Sequence, residues 1–407
     1  MAANIREGKY WTQYRRALRA SNVDPGDFEQ ICRIYGLLHD LGHLPLSHLF
    51  ELGFDDYVAK KFPNVSLESM CQRWFGGVNF AKLHEACGSA LAHTLLKDIR
   101  VPGAIADQVL RLMSEKDVAS SSPLRPIKLL IDSEVDADRI DCVARDGLLA
   151  GGEYGSFDIE RLCSAVFVQP HEDGWRLGYS HKALSSLEGI LLDRYRTHTW
   201  IHYHHRVVAL KVAVAELIRW LLENGKIQKK DFPVKSAREM ALRDDMWLIG
   251  QLRLIATGRR DETSVPAAKR AFLYRDKDAI RLLWKDRTSF REVEDDLKER
   301  GGLRRIDAGK LGRKYEEMIS KDLGIKTAVF WPPFRALGRR AVPLVDEGGG
   351  KTVGELFSAS TLVNSLTSLW ETEPQFYCVL LGESPKEDRV LLEKWKERTA
   401  AYLRSSG

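Results

Sequence analysis

Residues 38–48 indicate the fold and chemistry of this chain most clearly; they read Leu-His-Asp-Leu-Gly-His-Leu-Pro-Leu-Ser-His. Three imidazoles and one carboxylate fall within this run, and both groups are suitable ligands for Mn, Fe, Co, Zn or Mg. A bound metal ion turns water into a nucleophile at neutral pH and absorbs the charge that develops during phosphoester hydrolysis. The adjacent pair His39-Asp40 can place both donors on one ion where a helix ends beneath it. The run therefore predicts metal-dependent phosphate chemistry.

An apolar pattern with helical spacing leads into this run. Gly42 and Pro45 interrupt the pattern, which places His39 and Asp40 on the last turn of a helix. The residues that keep the three-and-four spacing are Phe28, Ile31, Cys32, Tyr35 and Leu38, and either Asp24 or Asp27 is available to cap the helix.

A second acidic segment lies within residues 126–147, which we predict to form one helix. Asp138 falls on the apolar stripe of that helix, between Val135 and Cys142. A buried carboxylate must be paired, hydrogen-bonded or bound to metal. The spacing alone allows either a buried salt bridge or a metal ligand, and the His-Asp run elsewhere in the chain favours the ligand. Asp141 and Arg145 are spaced to form an ion pair.

The composition is that of an ordinary globular protein. The chain has 407 residues, 44% of them apolar, and a formal net charge of +5, so nucleic acid is a possible partner that the charge does not specifically indicate. No apolar run is long enough to predict a membrane span. Six scattered cysteines without paired spacing predict reduced thiols. These features predict a cytoplasmic protein without membrane association.

Further patterns predict a mainly α fold with a C-terminal α+β region. We expect a helical core over 1–220, a helical extension over 221–325 that completes the site and an oligomer surface, and an accessory region over 326–407. The predicted elements are helices near 80–98 and 104–115, a long helical pair at 182–224, a β-hairpin at 166–179, strands at Thr327–Trp331 and Gln375–Leu381, a glycine-rich loop at 347–351 and an amphipathic helix at 386–404.

The two motifs together resemble the HD-domain superfamily. The pattern H-D-L-G-H-x-P-x-S-H, followed by D-x-D-R-x-D-x-x-A-R-D, is similar to the branch of deoxynucleoside triphosphate (dNTP) triphosphohydrolases, which includes bacterial dGTPases and SAM-and-HD-domain dNTPases. Weaker matches occur at Leu83–Glu85, in the hairpin and at Tyr195–Arg206, so that the resemblance spans roughly residues 28–290. It implies an HD-domain helical core, a divalent metal cofactor (Mn, Mg, Co, Fe or Zn), a nucleotide substrate, release of whole triphosphate and a homo-oligomer.

The resemblance also implies roles for individual residues. His39, Asp40 and Asp138 would be metal ligands, and Arg139 would contact phosphate. Four further residues would be catalytic: His43, His48 and His84 would face the phosphates, and Glu51 would orient a catalytic histidine.

The nucleoside side of the site is less sharply defined. The family's Tyr-x-His matches Tyr203 and His205, which with Arg206 are our predicted substrate-binding residues. It can also be aligned on His202 and His204, with the Tyr replaced. An aromatic core stripe would give the same spacing without any binding role.

One departure from the family pattern concerns the metal site. The superfamily usually supplies a further histidine ligand well upstream of the HD pair, and this sequence has no histidine before His39. Three accounts are open: Asn4 replaces that ligand, the given sequence begins after it, or the chain keeps the fold only for binding. The function expected first is dNTP triphosphohydrolysis; the alternatives are another HD nucleotidase or phosphodiesterase, or a nucleotide-binding or partner-binding pseudoenzyme.

Overall fold

The computed structural model describes most of the first 276 residues and shorter parts of the rest. The described residues are 1–76, 80, 82–114, 118–119, 121–152, 154–256, 266–276, 279–282, 326–330, 340–346, 351–372 and 377–381, with single helical residues near 316–321 and 393–401. Within these ranges no helix is long and apolar enough to cross a membrane.

Helices make up most of the described chain. The first nine are α1 (Ala2–Glu7), α2 (Trp11–Ala20), α3 (Phe28–Leu38), α4 (His48–Lys61), α5 (Leu67–Phe75), α6 (Leu83–Asp98), α7 (Gly103–Ser114), α8 (Arg125–Leu129) and α9 (Ala137–Ala150). The others are α10 (Ile159–Ser164), α11 (Leu184–Thr197), α12 (His205–Glu223), α13 (Ala237–Met240), α14 (Asp245–Ala256), α15 (Pro266–Leu273), α16 (Leu356–Ala359) and α17 (Thr361–Thr372). A single π-helical turn, His198–His202, separates α11 from α12.

Within the described residues, seven short strands form two small sheets. They are β1 (Val166–His171), β2 (Gly174–Ser180), β3 (Ile280–Leu282), β4 (Lys326–Phe330), β5 (Pro343–Val345), β6 (Thr352–Glu355) and β7 (Tyr377–Leu381). The orders are β1-β2-β5-β6 and β3-β7-β4. The predicted mainly α fold with a small β-hairpin is therefore confirmed. The hairpin gains β5, which pairs parallel to β2 with Tyr179 opposite Leu344.

The predicted single helix over 126–147 is wrong. The structure has α8 and α9, separated by a loop at 130–136, because the buried Asp136 side chain caps the first turn of α9. Asp138 is consequently the second residue of a helix, and its side chain is 43% exposed. The argument that Asp138 lies on a buried stripe fails, although its neighbour Val135 is buried. The predicted ion pair between Arg145 and Asp141 is present.

Two apolar clusters flank the His-Asp run. One joins α1–α3, α7–α9, α11 and the hairpin; the other joins α4–α6, α12 and α14. Leu38 belongs to the first cluster and Leu44 to the second, and Leu41 packs against both. Burial on both sides therefore fixes the short segment that carries His39, Asp40 and His43.

The C-terminal expectations are met in part. Strands form at 326–330 and 377–381, close to the predicted positions. The segment expected to stay helical to residue 322 instead includes the strand β3. Residues 347–350 of the glycine-rich loop and nearly all of the predicted helix 386–404 lie outside the described residues. The three domain boundaries stay a prediction.

Candidate active site

The end of α3 orients the first histidine. His39 follows Leu38 with helical backbone angles, as the sequence pattern predicts. Its Nδ1 atom donates a hydrogen bond to the Gly36 carbonyl at 2.8 Å, because a carbonyl oxygen can only accept. The other ring nitrogen, Nε2, is buried and has no hydrogen-bond partner among the described residues. This arrangement, in which one nitrogen donates and the other is left free, is typical of a metal-ligating histidine.

Two carboxylates face that nitrogen at equal distances. His39 Nε2 lies 3.6 Å from Asp40 Oδ2 and 3.6 Å from Asp138 Oδ1. These separations are too long for hydrogen bonds. Two ligands held about 2.1 Å from a common ion at the tetrahedral angle lie roughly 3.4 Å apart, so the spacing suits one shared cation. We call His39, Asp40 and Asp138 the triad.

Without a cation, the two carboxylates give the triad a negative electrostatic potential. Burial disfavours a charged imidazole, but the neighbouring Asp138 and Asp40 outweigh it and raise the pKa of His39 to about 9. Burial likewise opposes ionisation of Asp40, yet His43 and His39 lower the pKa of its carboxyl to about 2. In the absence of metal, the site therefore attracts a proton to the position between its ligands.

A second group of residues adjoins the triad. Glu51 Oε1 accepts from His84 Nδ1 at 2.5 Å and from the His84 amide at 3.0 Å, and its Oε2 accepts from His48 Nδ1 at 2.9 Å. The His43 ring lies 4.2 Å from that of His84, centroid to centroid. His43 Nε2 is 3.5 Å from Asp40 Oδ1, which connects the two groups. We call His43, His48, Glu51 and His84 the relay.

Spacing distinguishes the relay from the triad. Both groups offer ligand atoms within 4.8 Å of one another, so both satisfy a loose criterion for metal binding. In the relay, however, hydrogen bonds join His48 and His84 to Glu51, and a ligand–ligand distance of 2.5 Å is too short for a common ion. The hydrogen bonds from His48 and His84 overcome the effect of burial and hold the pKa of Glu51 well below its usual range. The relay is therefore arranged for proton transfer.

A strained turn delivers His48 to the start of α4. Leu46 and Ser47 have φ of 63° and 53°, values that side-chain-bearing residues rarely adopt. The Leu46 amide donates to Asp245 Oδ1 at 2.7 Å, which ties the turn to α14. The His48 side chain is 72% exposed, whereas those of Glu51 and His84 are largely buried. Among the three relay histidines, His48 is thus the most open to a bound molecule.

A close approach of two backbones holds the relay together. A Cβ atom on Gly42 would lie 2.0 Å from the His84 carbonyl oxygen and 2.1 Å from the Gly88 amide nitrogen. Only glycine fits at this point, because α6 crosses directly over the His-Asp run. The contact brings His84, which opens α6, beside His43.

The predicted nucleoside-side residues lie apart from these contacts. Tyr203 stacks on His198, and its carbonyl accepts from the Tyr377 hydroxyl at 2.6 Å. His205 and Arg206 begin α12, and Arg206 is exposed. Their known partners in the described part of the chain do not include the triad, and their binding roles stay a prediction.

Another histidine reaches α9, the helix that carries Asp138. His202 Nε2 lies 2.9 Å from Asp146 Oδ2, and Asp146 follows Asp138 by two turns of α9, about 12 Å along its axis. The sequence pattern offers His202 only in the alternative alignment of Tyr-x-His and predicts no role for Asp146. The eight-residue spacing from Asp138, which keeps both side chains on one face of a helix, was the available signal.

Asn4 has a different partner from the one expected of a metal ligand. Its amide nitrogen donates to the Val166 carbonyl at 2.7 Å and joins α1 to β1. Among the described His, Cys, Asp and Glu side chains, the group around His39 contains only Asp40 and Asp138 as further members. Three protein ligands occur in many catalytic metal sites.

Comparison with known sequences identifies distant relatives. No protein-family model matches the chain. It is 23% identical over 228 residues to the uncharacterized protein MJ1154 of Methanocaldococcus jannaschii, a match that covers 55% of this chain and 40% of the relative. It is 25% identical over 191 residues to the uncharacterized protein YwfO of Bacillus subtilis, covering 46% and 36%. The chain thus matches less than half the length of these curated relatives.

Solved structures share the fold over nearly the whole chain. A hypothetical protein from Aquifex aeolicus superposes with a TM-score of 0.57 at 18% identity, covering 94% of this chain and 83% of the other. A phosphohydrolase (BT4208) from Bacteroides thetaiotaomicron superposes with a TM-score of 0.58 at 16% identity, covering 92% and 84%. The chain therefore has a fold that is also found in a phosphohydrolase.

Proposed function

We propose that this protein is a metal-dependent phosphohydrolase that converts a dNTP to deoxynucleoside and inorganic triphosphate. The observation that carries the proposal is the contrast between the adjoining triad and relay. The triad has the 3.6 Å spacing of ligands around a cation, and the relay has the 2.5–2.9 Å spacing of hydrogen-bonded acids and bases. Phosphoester hydrolysis uses both kinds of group.

The donor set fits a divalent cation such as Mn, Mg, Co, Fe or Zn. His39, Asp40 and Asp138 would hold it, and the unpartnered His39 Nε2 is oriented for that role. When bound, the ion would lower the pKa of water and neutralise charge that develops on phosphate.

The relay residues would manage the proton. Because His48 and His84 both donate through Nδ1 to Glu51, their Nε2 atoms are left to exchange a proton with substrate. The ionised Glu51 stabilises a protonated imidazole beside it, which lets the histidine protonate a departing 5′-oxygen. His48 is the better placed donor, since its ring is exposed.

The substrate contacts are proposed from the resemblance. Arg139 follows Asp138 directly and would contact a phosphate. Tyr203, His205 and Arg206 remain our sequence-based candidates for the nucleoside. The His202–Asp146 pair supports the alternative alignment, in which the family's Tyr-x-His falls on His202 and His204, because it adds polar groups to the helix that carries Asp138. A homo-oligomer and a cytoplasmic location remain expectations from the sequence.

A triphosphate-release assay tests the proposal. The purified chain is incubated with Mn²⁺, Mg²⁺ or Co²⁺ and with each dNTP in turn, and inorganic triphosphate is measured. We expect metal-dependent release that Asp40→Ala and Asp138→Ala abolish. Asp141→Ala is the matched control, since Asp141 is on the same helix and pairs with Arg145 instead. Release of monophosphate or pyrophosphate would instead identify another HD nucleotidase activity.

Binding without catalysis is the second candidate function. The three-residue triad favours it, since a fourth protein ligand is not among the described side chains around His39. Nucleotide binding without turnover under every metal would support this candidate and contradict the first.

A further inference from the structure

The loop before α9 contains a buried carboxylate with an unusual set of partners. Asp136 is 1% exposed. Its Oδ1 accepts from the Arg139 amide at 2.7 Å, and its Oδ2 accepts from the Ser133 amide at 2.8 Å. Oδ2 also accepts from the Arg139 guanidinium at 3.0 Å. A buried carboxylate requires such compensation, and here two of its three hydrogen bonds go to the same arginine.

The first of these bonds fixes the backbone that carries the metal ligand. Asp136 is the N-cap of α9, and Asp138 is the second residue of that helix. An N-cap satisfies an amide that the first turn otherwise leaves unpaired, and it determines where the helix starts. The position of the Asp138 carboxylate, 3.6 Å from His39 Nε2, therefore depends on this cap.

The second bond fixes a cation beside that ligand. Oδ2 of Asp136 holds one terminal nitrogen of the Arg139 guanidinium, whose side chain is 24% exposed. Among the described residues, the other guanidinium nitrogens of Arg139 have no hydrogen-bond partner. A guanidinium held at one nitrogen keeps a defined plane and still offers donors to an anion.

We propose that Asp136 is a positioning residue that fixes the relative positions of the metal ligand Asp138 and the phosphate-binding Arg139. One buried carboxylate holds both the helix start that carries Asp138 and the guanidinium of Arg139. A buried ion pair also stabilises the loop before α9, with Arg194 Nη1 3.2 Å from Glu134 Oε1. This inference rests on the proposed function for the roles of Asp138 and Arg139.

Two substitutions separate the two tasks. Asparagine is as good an N-cap as aspartate, so Asp136→Asn keeps the helix start but replaces Oδ2, the acceptor for the Ser133 amide and the Arg139 guanidinium, with an amide NH2 group. Asp136→Ala removes both. Asp158→Ala is the matched control, because Asp158 caps α10 through the amide of Arg161, three residues on, in the same way.

The measurements are Mn²⁺ affinity by calorimetry, and KM and kcat for triphosphate release, all on the full chain. We expect Asp136→Ala to bind Mn²⁺ about tenfold or more weakly, as removal of a residue that orients a ligand commonly does. Asp136→Asn should bind Mn²⁺ within about twofold of wild type but show a KM raised about tenfold, the size of one lost charge-assisted hydrogen bond. Asp158→Ala should change neither quantity.

Unchanged Mn²⁺ affinity in Asp136→Ala, or an unchanged KM in Asp136→Asn, would overturn the inference. If Asp136→Ala does not fold, the Asp136→Asn variant still tests the inference, because it should raise KM while leaving the Mn²⁺ affinity almost unchanged. Mn²⁺ binding by the wild type without triphosphate release would refute the proposed function, while the effect of Asp136→Ala on Mn²⁺ affinity would still test Asp136. Absence of Mn²⁺ binding by the wild type would overturn both.

Discussion

Replacing Gly42 with alanine tests the close approach between the His-Asp run and α6. The added Cβ would meet three backbone atoms of α6: the His84 carbonyl oxygen at 2.0 Å, the Gly88 amide nitrogen at 2.1 Å and the Gly88 Cα at 2.6 Å. None of these atoms can turn aside as the end of a side chain can. The two segments must therefore move apart.

The size of the required movement sets the expected effect. Ordinary contact begins at 3.4 Å, so the backbones must separate by more than about 1 Å. Overpacking of this kind costs about 1–3 kcal/mol of the free energy of unfolding, which lowers Tm by roughly 1–4 °C in a protein of this size. A displacement of about 1 Å at the reacting groups costs about 100-fold in rate. Since α6 carries His84, we expect the loss of kcat to exceed what the change in Tm suggests.

Gly88→Ala is the matched control on the other side of the same contact. Its Cβ would lie 3.2 Å from the Gly42 amide nitrogen and 3.4 Å from the Gly42 Cα, so a small shift suffices. Alanine is also favoured over glycine by about 1 kcal/mol within a helix. We expect its Tm and kcat to stay near those of wild type. Wild-type Tm and kcat in Gly42→Ala, measured by thermal denaturation and triphosphate release, would refute the close approach.

Three further predictions concern single groups. Glu51→Gln should lower kcat about 100-fold, because an amide cannot accept from both histidines. The lowered pKa of Glu51 stabilises the fold above the pKa of the unfolded state, and this stability is lost on acidification. Urea unfolding should therefore show that the variant loses more free energy of unfolding at pH 7 than at pH 3. A KM effect alone, or equal deficits at both pH values, would contradict the role of the relay. Tyr14→Phe should cost about 1–3 kcal/mol in urea unfolding, because it leaves the buried Pro123 carbonyl without the hydroxyl that now donates at 2.6 Å; an unchanged midpoint would contradict this. Mn²⁺ binding at pH 7 should release about one proton, since the ion needs a neutral imidazole and the pKa of metal-free His39 is about 9. Calorimetry in buffers of different ionisation enthalpy measures the number of protons released. A value near zero would contradict the role of His39 as a ligand.

The sequence predicted those parts of the site whose determinants are local. The apolar spacing before Leu38, and the helix-breaking Gly42 and Pro45, place His39 and Asp40 at the end of α3, where the structure has them. The hairpin at 166–179 was also predictable, since strand and turn residues alternate within a short span. Each of these features depends on neighbours a few residues away.

The remaining features depend on contacts between distant segments. Apolar periodicity continues across residues 130–136, and only the burial of Asp136 shows that α9 begins there. The pairing of β2 with β5 joins residues 179 and 344, which no local pattern encodes. The same reason applies to Gly42: its neighbour in space is α6, and a glycine in a turn-forming run already has a local explanation.

The Arg340 contacts have a consequence for the order in which the protein assembles. The Arg340 amide donates to Glu134 Oε2 at 3.4 Å, and its guanidinium lies 2.5 Å from Asp132 Oδ1, so Arg340 contacts two of the three acidic groups in the loop before α9. Ribosomes add about 5–20 residues per second, so Arg340 emerges roughly 10–40 s after those carboxylates. During that interval the edge of β2 that later receives β5 is open to other strands. The nascent chain thus exposes a sheet edge near the loop before α9 until the C-terminal third has been made, which is the stage at which a chaperone would give the greatest protection.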